Sequence, residues 1–247
     1  MNSDTRYPVP DIFSARRILC VQPHYDDADL SIGGTLARLH DAGAEIFYLT
    51  VTNDLMGVID TSLSAEEATR QLRSEQYATG EIIGVKEQHW LDFPDAGSYD
   101  YFEVRRGIIR AVRLLRPDFL FAIDPWLPFE AHRDHILAGQ AAAEAAILYG
   151  LMRIPTDPQV DAAYTPHELK GVAFYTTRAP NTVVDISATQ ARKHAAARCF
   201  RAQFTAEELE MLSAWLEMRE NAFGEAHGLA CAEGLMVLPT RMLHCGV

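Results

Sequence analysis

The chain has 247 residues, 48% of them hydrophobic, and its 34 acidic against 22 basic side chains give a formal charge of −12. That is enough apolar material to bury a substantial core unaided. It carries no Lys/Arg cluster of the kind a nucleic acid or an anionic membrane requires, which leaves a neutral or cationic small molecule as the expected partner.

In chain order, an N-terminal stretch without the apolar core of a signal peptide, "MNSDTRYPVPDIFSARR", leads into a strand at 16–22, "RRILCVQ". A helix is predicted near 32–42, a strand at 45–52, "EIFYLTVT", and a helix near 65–83. A weak strand follows at 88–91, then a helix near 102–115, the strand "DFLFAI" at 118–123 and a helix near 134–149. Three prolines in 153–169 mark a long surface loop rather than a domain boundary. Strands at 171–177 and 182–186 and two C-terminal helices complete the pattern. Strands that are apolar throughout and separated by helices imply an α/β fold, a Rossmann-like three-layer αβα sandwich with a mostly parallel sheet, in a single domain over 1–247. No apolar run approaches a membrane span, so a soluble, cytoplasmic protein is expected. Cys20, Cys199, Cys231 and Cys245 are widely separated and form no C-x-x-C pair, which fits reduced, packing cysteines.

In open sheets of this kind ligands bind beyond the carboxyl ends of the strands. The loop after the first strand reads "VQPHYDDADLSIGG" (21–34), with Asp26, Asp27 and Asp29 crowded against His24. A dinucleotide site would put G-x-G-x-x-G there. Three carboxylates repel a phosphate, and Gly33 and Gly34 come too late. Carboxylates this close repel one another unless water or a cation separates them. His24 and Asp27 offer an imidazole and a carboxylate suited to a divalent ion of borderline softness, in the three-ligand arrangement usual for catalytic zinc. A second His/Asp cluster at the same sheet edge, "PWLPFEAHRDHILAG" with His132, Asp134 and His135, can supply the third ligand. Asp29 alone is also explained as an acidic first-turn residue of a helix.

The stretch "PHYDDAD" resembles the P-H-P-D-D-x-E signature of the LmbE-like/PIG-L family of zinc-dependent N-acetylglucosamine deacetylases, and "HRDH" resembles its H-x-D-H motif. "VTNDLMG", "RSEQYATGEIIGV", "HWLDFPDAG" and "VVDISATQARKHAAARCFRAQF" resemble further family segments, so the similarity covers most of 17–235. Tyr25 replaces the second proline of the signature, Asp29 the usual Glu, and Phe200 and Ala202 the His and Ser of a late H-x-S-Q. The resemblance implies that His24, Asp27 and His135 bind zinc and that Asp26 is the general base. It also gives His132, oriented by Asp134, the role of stabilising the oxyanion or donating a proton. Arg73, Asn53, Asp54 and Asp95 are the implied sugar contacts. Trp126, Phe129, Tyr164 and Tyr175 are candidates for stacking on a sugar ring. The implied reaction is removal of the N-acetyl group from an N-acetylglucosamine-type amino sugar or its conjugate. A shortage of basic loop residues argues against a phosphoinositide. A second reading keeps the hydrolase chemistry but takes a non-sugar N-acyl metabolite or thiol conjugate, and a third is a sugar-binding or regulatory protein with a degenerate site. Association into a homo-oligomer stays open.

Overall fold

The computed structural model describes residues 8–244, so Cys245 lies outside the described residues. β1 (Arg17–Gln22), α1 (Asp27–Asp41), β2 (Glu45–Thr52), α2 (Ala65–Ile83) and β3 (Val85–Phe93) build one half of the sheet. α3 (Tyr101–Leu115), β4 (Phe119–Ile123), α4 (Arg133–Leu148), the short α5 (Pro158–Ala163) and β5 (Gly171–Tyr175) extend the other half. β6 (Thr182–Asp185), α6 (Gln190–Ala197), α7 (Ala206–Glu225) and β7 (Ala232–Leu238) close the far edge. The strand order is β3-β2-β1-β4-β5-β7-β6. The first five strands run parallel, and β7 pairs antiparallel with both β5 and β6.

Alternation along each strand splits the core into two layers. Ile18, Cys20, Ile46, Tyr48, Phe119 and Phe121 face α1 and α6, whereas Leu19, Val21, Phe47, Leu49, Leu120 and Ala122 face α3 and α4. The helices are bounded by local chemistry. Ser64 and Glu67 form a reciprocal capping box at the start of α2, and Gly84 ends it at φ +100°, where a Cβ would meet the His40 ring at 2.4 Å. Cys20 and Cys231 are buried free thiols, and Cys199 is a partly exposed one. No helix among the described residues is long and apolar enough to cross a membrane.

Three differences from the predicted elements have physical reasons. α1 begins at Asp27, well before residue 32, because it is interrupted at Ile32 (φ −136°, ψ 22°) and the break hides its first turn from helical periodicity. The 153–169 loop contains α5, whose N-cap Asp157 accepts from Gln159 and Val160 ahead of a proline-started turn. β7 was not expected, since Glu233 and Gly234 interrupt its apolar run. Glu233 is nevertheless buried.

Candidate metal and catalytic site

β1 ends at Gln22 in the middle of the sheet, and the chain from Pro23 to Asp26 is held by neighbouring segments together with a local bond from His24 N to Asp27 Oδ2 (2.9 Å). Thr52 donates through both N and Oγ1 to the Pro23 carbonyl (3.0 and 2.9 Å), Tyr25 N donates to Asp54 Oδ2 (3.0 Å), and Gln76 Nε2 donates to the Tyr25 carbonyl (3.2 Å). Tyr25, in place of the family proline, is fully buried against Leu72 and Ala202, with its ring stacked 6.5 Å from Trp90. Asp29 also turns inward. It accepts from Tyr48 Oη at 2.5 Å, and burial pushes its carboxyl up to about 6. Of the three crowded aspartates, Asp26 and Asp27 are thus left at the site.

Asp27 lies between two histidines. Its Oδ2 is 3.2 Å from His24 Nδ1 and its Oδ1 is 3.4 Å from His135 Nε2. The opposite ring nitrogens face other carboxylates: His24 Nε2 is 3.2 Å from Asp95 and 3.5 Å from Asp134, and His135 Nδ1 is 3.1 Å from Glu130. A metal-binding histidine characteristically gives its second nitrogen to a carboxylate, which fixes its tautomer and aims its free nitrogen. His24 and His135 both have this arrangement, and the nitrogens left over are the two that converge on Asp27. This donor set of two imidazoles and one carboxylate fits a divalent ion.

His132 stands as close. Its ring is 4.6 Å from that of His24 and 4.5 Å from that of His135, and one nitrogen of each of the three lies within 4.8 Å of the others. A second such group joins His24, Asp95, His132 and Asp134. What separates His132 from His135 is orientation: His132 is the more exposed residue, and no side-chain hydrogen bond fixes its ring among the described residues. Its backbone N is the anchored part, donating to Glu130 Oε1 at 2.7 Å. The expectation that Asp134 orients His132 is corrected. Both Asp134 oxygens are taken, by Ala96 N (2.8 Å) and Tyr99 Oη (2.6 Å), and its remaining contact is with His24.

The charges respond to this crowding. Burial, then the Asp27 and Asp54 carboxylates, push Asp26 well above the usual carboxylate range. Burial alone would raise Asp27 too, but the His24 hydrogen bond and the charge of His135 outweigh it and hold Asp27 low. For His24 burial works downward and is overcome by Asp134, Asp27 and Asp95, which raise it strongly. His132 is lowered by burial and by its two histidine neighbours.

The implied sugar contacts separate into two kinds. Asn53, Asp54 and Asp95 are built into the loops: Asn53 Oδ1 accepts from Leu55 N and Asp95 N, Asp54 Oδ2 accepts from Tyr25 N and Gln203 Nε2, and Asp95 Oδ2 accepts from Met56 N. Arg73 holds Asp92 through both carboxylate oxygens at 2.7 Å and lies 4.6 Å over the Trp90 ring, with a third of its side chain exposed. Of the aromatic candidates, Tyr175 is buried and donates to the Val21 carbonyl, and Tyr164 packs against His167. Trp126 and Phe129 are exposed on the β4–α4 loop, Phe129 by 95%. Glu130 was missed in the sequence. Its position two residues before His132 was the available signal, because only the fold shows that it reaches both His132 N and His135 Nδ1.

The sequence profile described as PIG-L, GlcNAc-PI de-N-acetylase, matches residues 19–146. The chain is 35% identical over 229 residues to the diacetylchitobiose deacetylase of Thermococcus kodakarensis, covering 93% of this chain and 85% of that one. It is 29% identical over 164 residues to the 1D-myo-inositol 2-acetamido-2-deoxy-alpha-D-glucopyranoside deacetylase of Kineococcus radiotolerans, 54% of this chain and 45% of that one. The structure of N,N'-diacetylchitobiose deacetylase from Pyrococcus horikoshii superposes with a TM-score of 0.88 at 33% identity, over 97% of this chain and 90% of the other. The matched residues contain both loops that meet at Asp27, and the shared fold extends over nearly the whole chain: the protein belongs to the PIG-L family.

Proposed function

We propose that the protein is a divalent-metal-dependent N-deacetylase that hydrolyses the N-acetyl group of an N-acetylglucosamine-type amino sugar or its conjugate, with residues 1–247 forming one catalytic domain. The observation that carries this reading is Asp27 placed between His24 and His135 at 3.2 and 3.4 Å, next to an Asp26 carboxylate that accepts no hydrogen bond from another described residue. The relatives' names add the substrate class, since an acetylated amino sugar is common to them.

His24, Asp27 and His135 hold the ion, and zinc suits two imidazoles with one carboxylate. When bound, it supplies a Lewis acid that polarises the amide carbonyl and acidifies water. Asp26 takes the proton from the attacking water. The amide C–N bond then breaks, and the proton passes to the departing nitrogen, giving acetate and the free amine. His132 is placed to donate to the developing oxyanion or to that nitrogen. Asp95 and Glu130 keep the two ligand imidazoles aimed. Asn53 and Asp54 hold the loops, and Arg73, with the exposed Trp126 and Phe129, is left to meet the sugar.

Elemental analysis combined with an acetate-release assay tests the reading. The panel is diacetylchitobiose, N-acetylglucosamine, an N-acetyl amino acid and an N-acyl thiol conjugate. About one divalent ion per chain is expected, with release from the sugars. Release from the non-sugar amides alone would move the substrate to the second reading. No release from any of them by metal-loaded protein would leave a sugar-binding role.

A further inference from the structure

The break in α1 at Ile32 frees backbone groups that an unbroken helix would satisfy internally. They find partners in side chains distant in sequence. Glu233 accepts from Gly34 N through Oε1 (3.2 Å) and from Thr35 N through Oε2 (2.7 Å). Lys193 Nζ donates to the Ser31 carbonyl (3.2 Å), and Thr189 Oγ1 donates to the Gly34 carbonyl (2.7 Å). Lys193 also joins Glu233 and Glu220, each at 2.7 Å, and all three side chains are almost fully buried. The two glycines permit the approach: a Cβ on Gly33 would meet Lys193 Cγ at 3.1 Å, and one on Gly34 would meet Ile186 at 2.9 Å.

Isolated charges are not buried at a helix break without consequence for its geometry, and this ion pair sits one turn beyond Asp27. We propose that the Lys193–Glu233 pair is a positioning device for catalysis: it fixes the break in α1 and so sets the direction of the helix's first turn, which carries Asp26 and Asp27, relative to His135 on α4. Lys193 and Glu233 touch neither ion nor substrate. They act through the backbone from Ser31 to Thr35. Because Asp26 and Asp27 enter with the roles proposed above, the clamp rests on that reading for its effect on turnover, but its effect on the backbone is independent of it.

Glu233→Gln retains the side chain's shape and replaces one of the two acceptor oxygens by a donor facing a backbone N–H. Glu220→Gln is the control, since Glu220 reaches the same Lys193 and makes no hydrogen bond to α1 among the described residues. Both variants should lose stability. Glu233→Gln alone should speed amide exchange at Gly34 and Thr35, weaken zinc binding and lower kcat on the order of tenfold or more with little change in KM, as expected when reacting groups are misplaced by a fraction of an ångström. Should Glu233→Gln not fold, Thr189→Val, which removes the 2.7 Å bond to the Gly34 carbonyl and a long 3.4 Å one to the Ile186 carbonyl, is expected to show the same changes at smaller size. Wild-type zinc affinity and kcat together with unchanged exchange at Gly34 and Thr35 would overturn the proposal, as would equal loss of kcat in Glu220→Gln. If the wild-type protein deacetylates no sugar, the proposed function fails, while exchange and zinc affinity still decide the clamp.

Discussion

Glu130→Ala tests whether the site is held together from behind. Its carboxylate accepts from His135 Nδ1 at 3.1 Å and from His132 N at 2.7 Å, so a single side chain aims one imidazole and anchors the backbone of the other. The group is 17% exposed, which places its hydrogen bonds toward the weak end of the charge-assisted range. Losing the partner of a ligand imidazole typically costs about 10- to 100-fold in metal affinity, roughly 1.4–2.7 kcal/mol. Glu130→Ala should therefore weaken zinc binding by about that factor and lower turnover at limiting metal, with partial recovery in excess zinc. Glu130→Gln, which retains one acceptor oxygen, should fall between it and the wild type. Competition against a chromophoric chelator measures the affinity, and thermal unfolding of the metal-free proteins measures any loss from the helix end. If Glu130→Ala binds zinc as tightly as wild type while His135→Ala does not, Glu130 merely caps α4 and the carboxylate–histidine argument fails.

Asp26→Asn should keep its metal and lose on the order of a hundredfold or more in turnover, whereas Asp27→Asn should lose metal affinity and respond to added zinc. A metal-free Asp26→Asn beside a metal-replete Asp27→Asn would reverse the pair. His135→Ala should lose metal and His132→Ala should keep it while turning over slowly, because only the His135 ring is aimed by a carboxylate. Equal metal loss in both variants would make His132 a ligand. Glu220 gives an acid-stability prediction. Burial would raise its carboxyl, but the His194 hydrogen bond and Lys193 lower it from 4.5 to about 2. Its contribution is thus fully present above pH 4.5 and lost as pH falls toward 2, by roughly 3 kcal/mol in all. Denaturant titrations across that window should show Glu220→Gln with a flatter acid limb than wild type. Arg113, buried and bound to Asp161 and to the carbonyls of Tyr149, Leu151 and Ile154, should cost about 3–5 kcal/mol when replaced by Met. Proteolysis should then begin in 149–161, and wild-type stability in that variant would show that the pair contributes nothing net.

The sheet was legible because β1, β2, β4 and β5 are buried on both faces and their apolar runs have no competing explanation. The chemistry-bearing loops were legible because His24 with Asp27 and His132 with His135 are close in sequence. What escaped were the contacts that only the folded backbone defines. Glu130 resembles any acidic loop residue until α4 brings its carboxylate to His135. Asp54 and Asp95 read as polar residues for a sugar, yet one oxygen of each also ties loops together, Asp54 Oδ2 accepting from Tyr25 N and Asp95 Oδ2 from Met56 N. Gly33 and Gly34, too late for a phosphate loop, serve the close approach of Lys193 and Ile186 to a broken helix. β7 stayed hidden because its buried glutamate is paid for by a lysine forty residues away.

The crowding of carboxylates is greater in three dimensions than in sequence. Around His24, His132 and His135 the fold gathers Asp26, Asp27, Asp54, Asp95, Asp134 and Glu130, twice as many carboxylates as imidazoles. Three of the shifts relieve that excess: Asp26 is raised, Asp54 is pushed to about 7, chiefly by burial, and His24 is drawn strongly upward, whereas Asp27 is held low by its two histidines. A chain with no use for a cation gains nothing from such an arrangement, because an apolar replacement of similar volume would pack as well without the repulsion. The carboxylates are also not equivalent. Asp54, Asp95, Asp134 and Glu130 accept backbone N–H groups and hold loops, Asp27 is turned between two imidazoles, and the Asp26 carboxylate accepts no hydrogen bond from another described residue. Five of the six carboxylates are thus engaged in holding the site's geometry, and the sixth, Asp26, is the one that the proposed function assigns to take a proton.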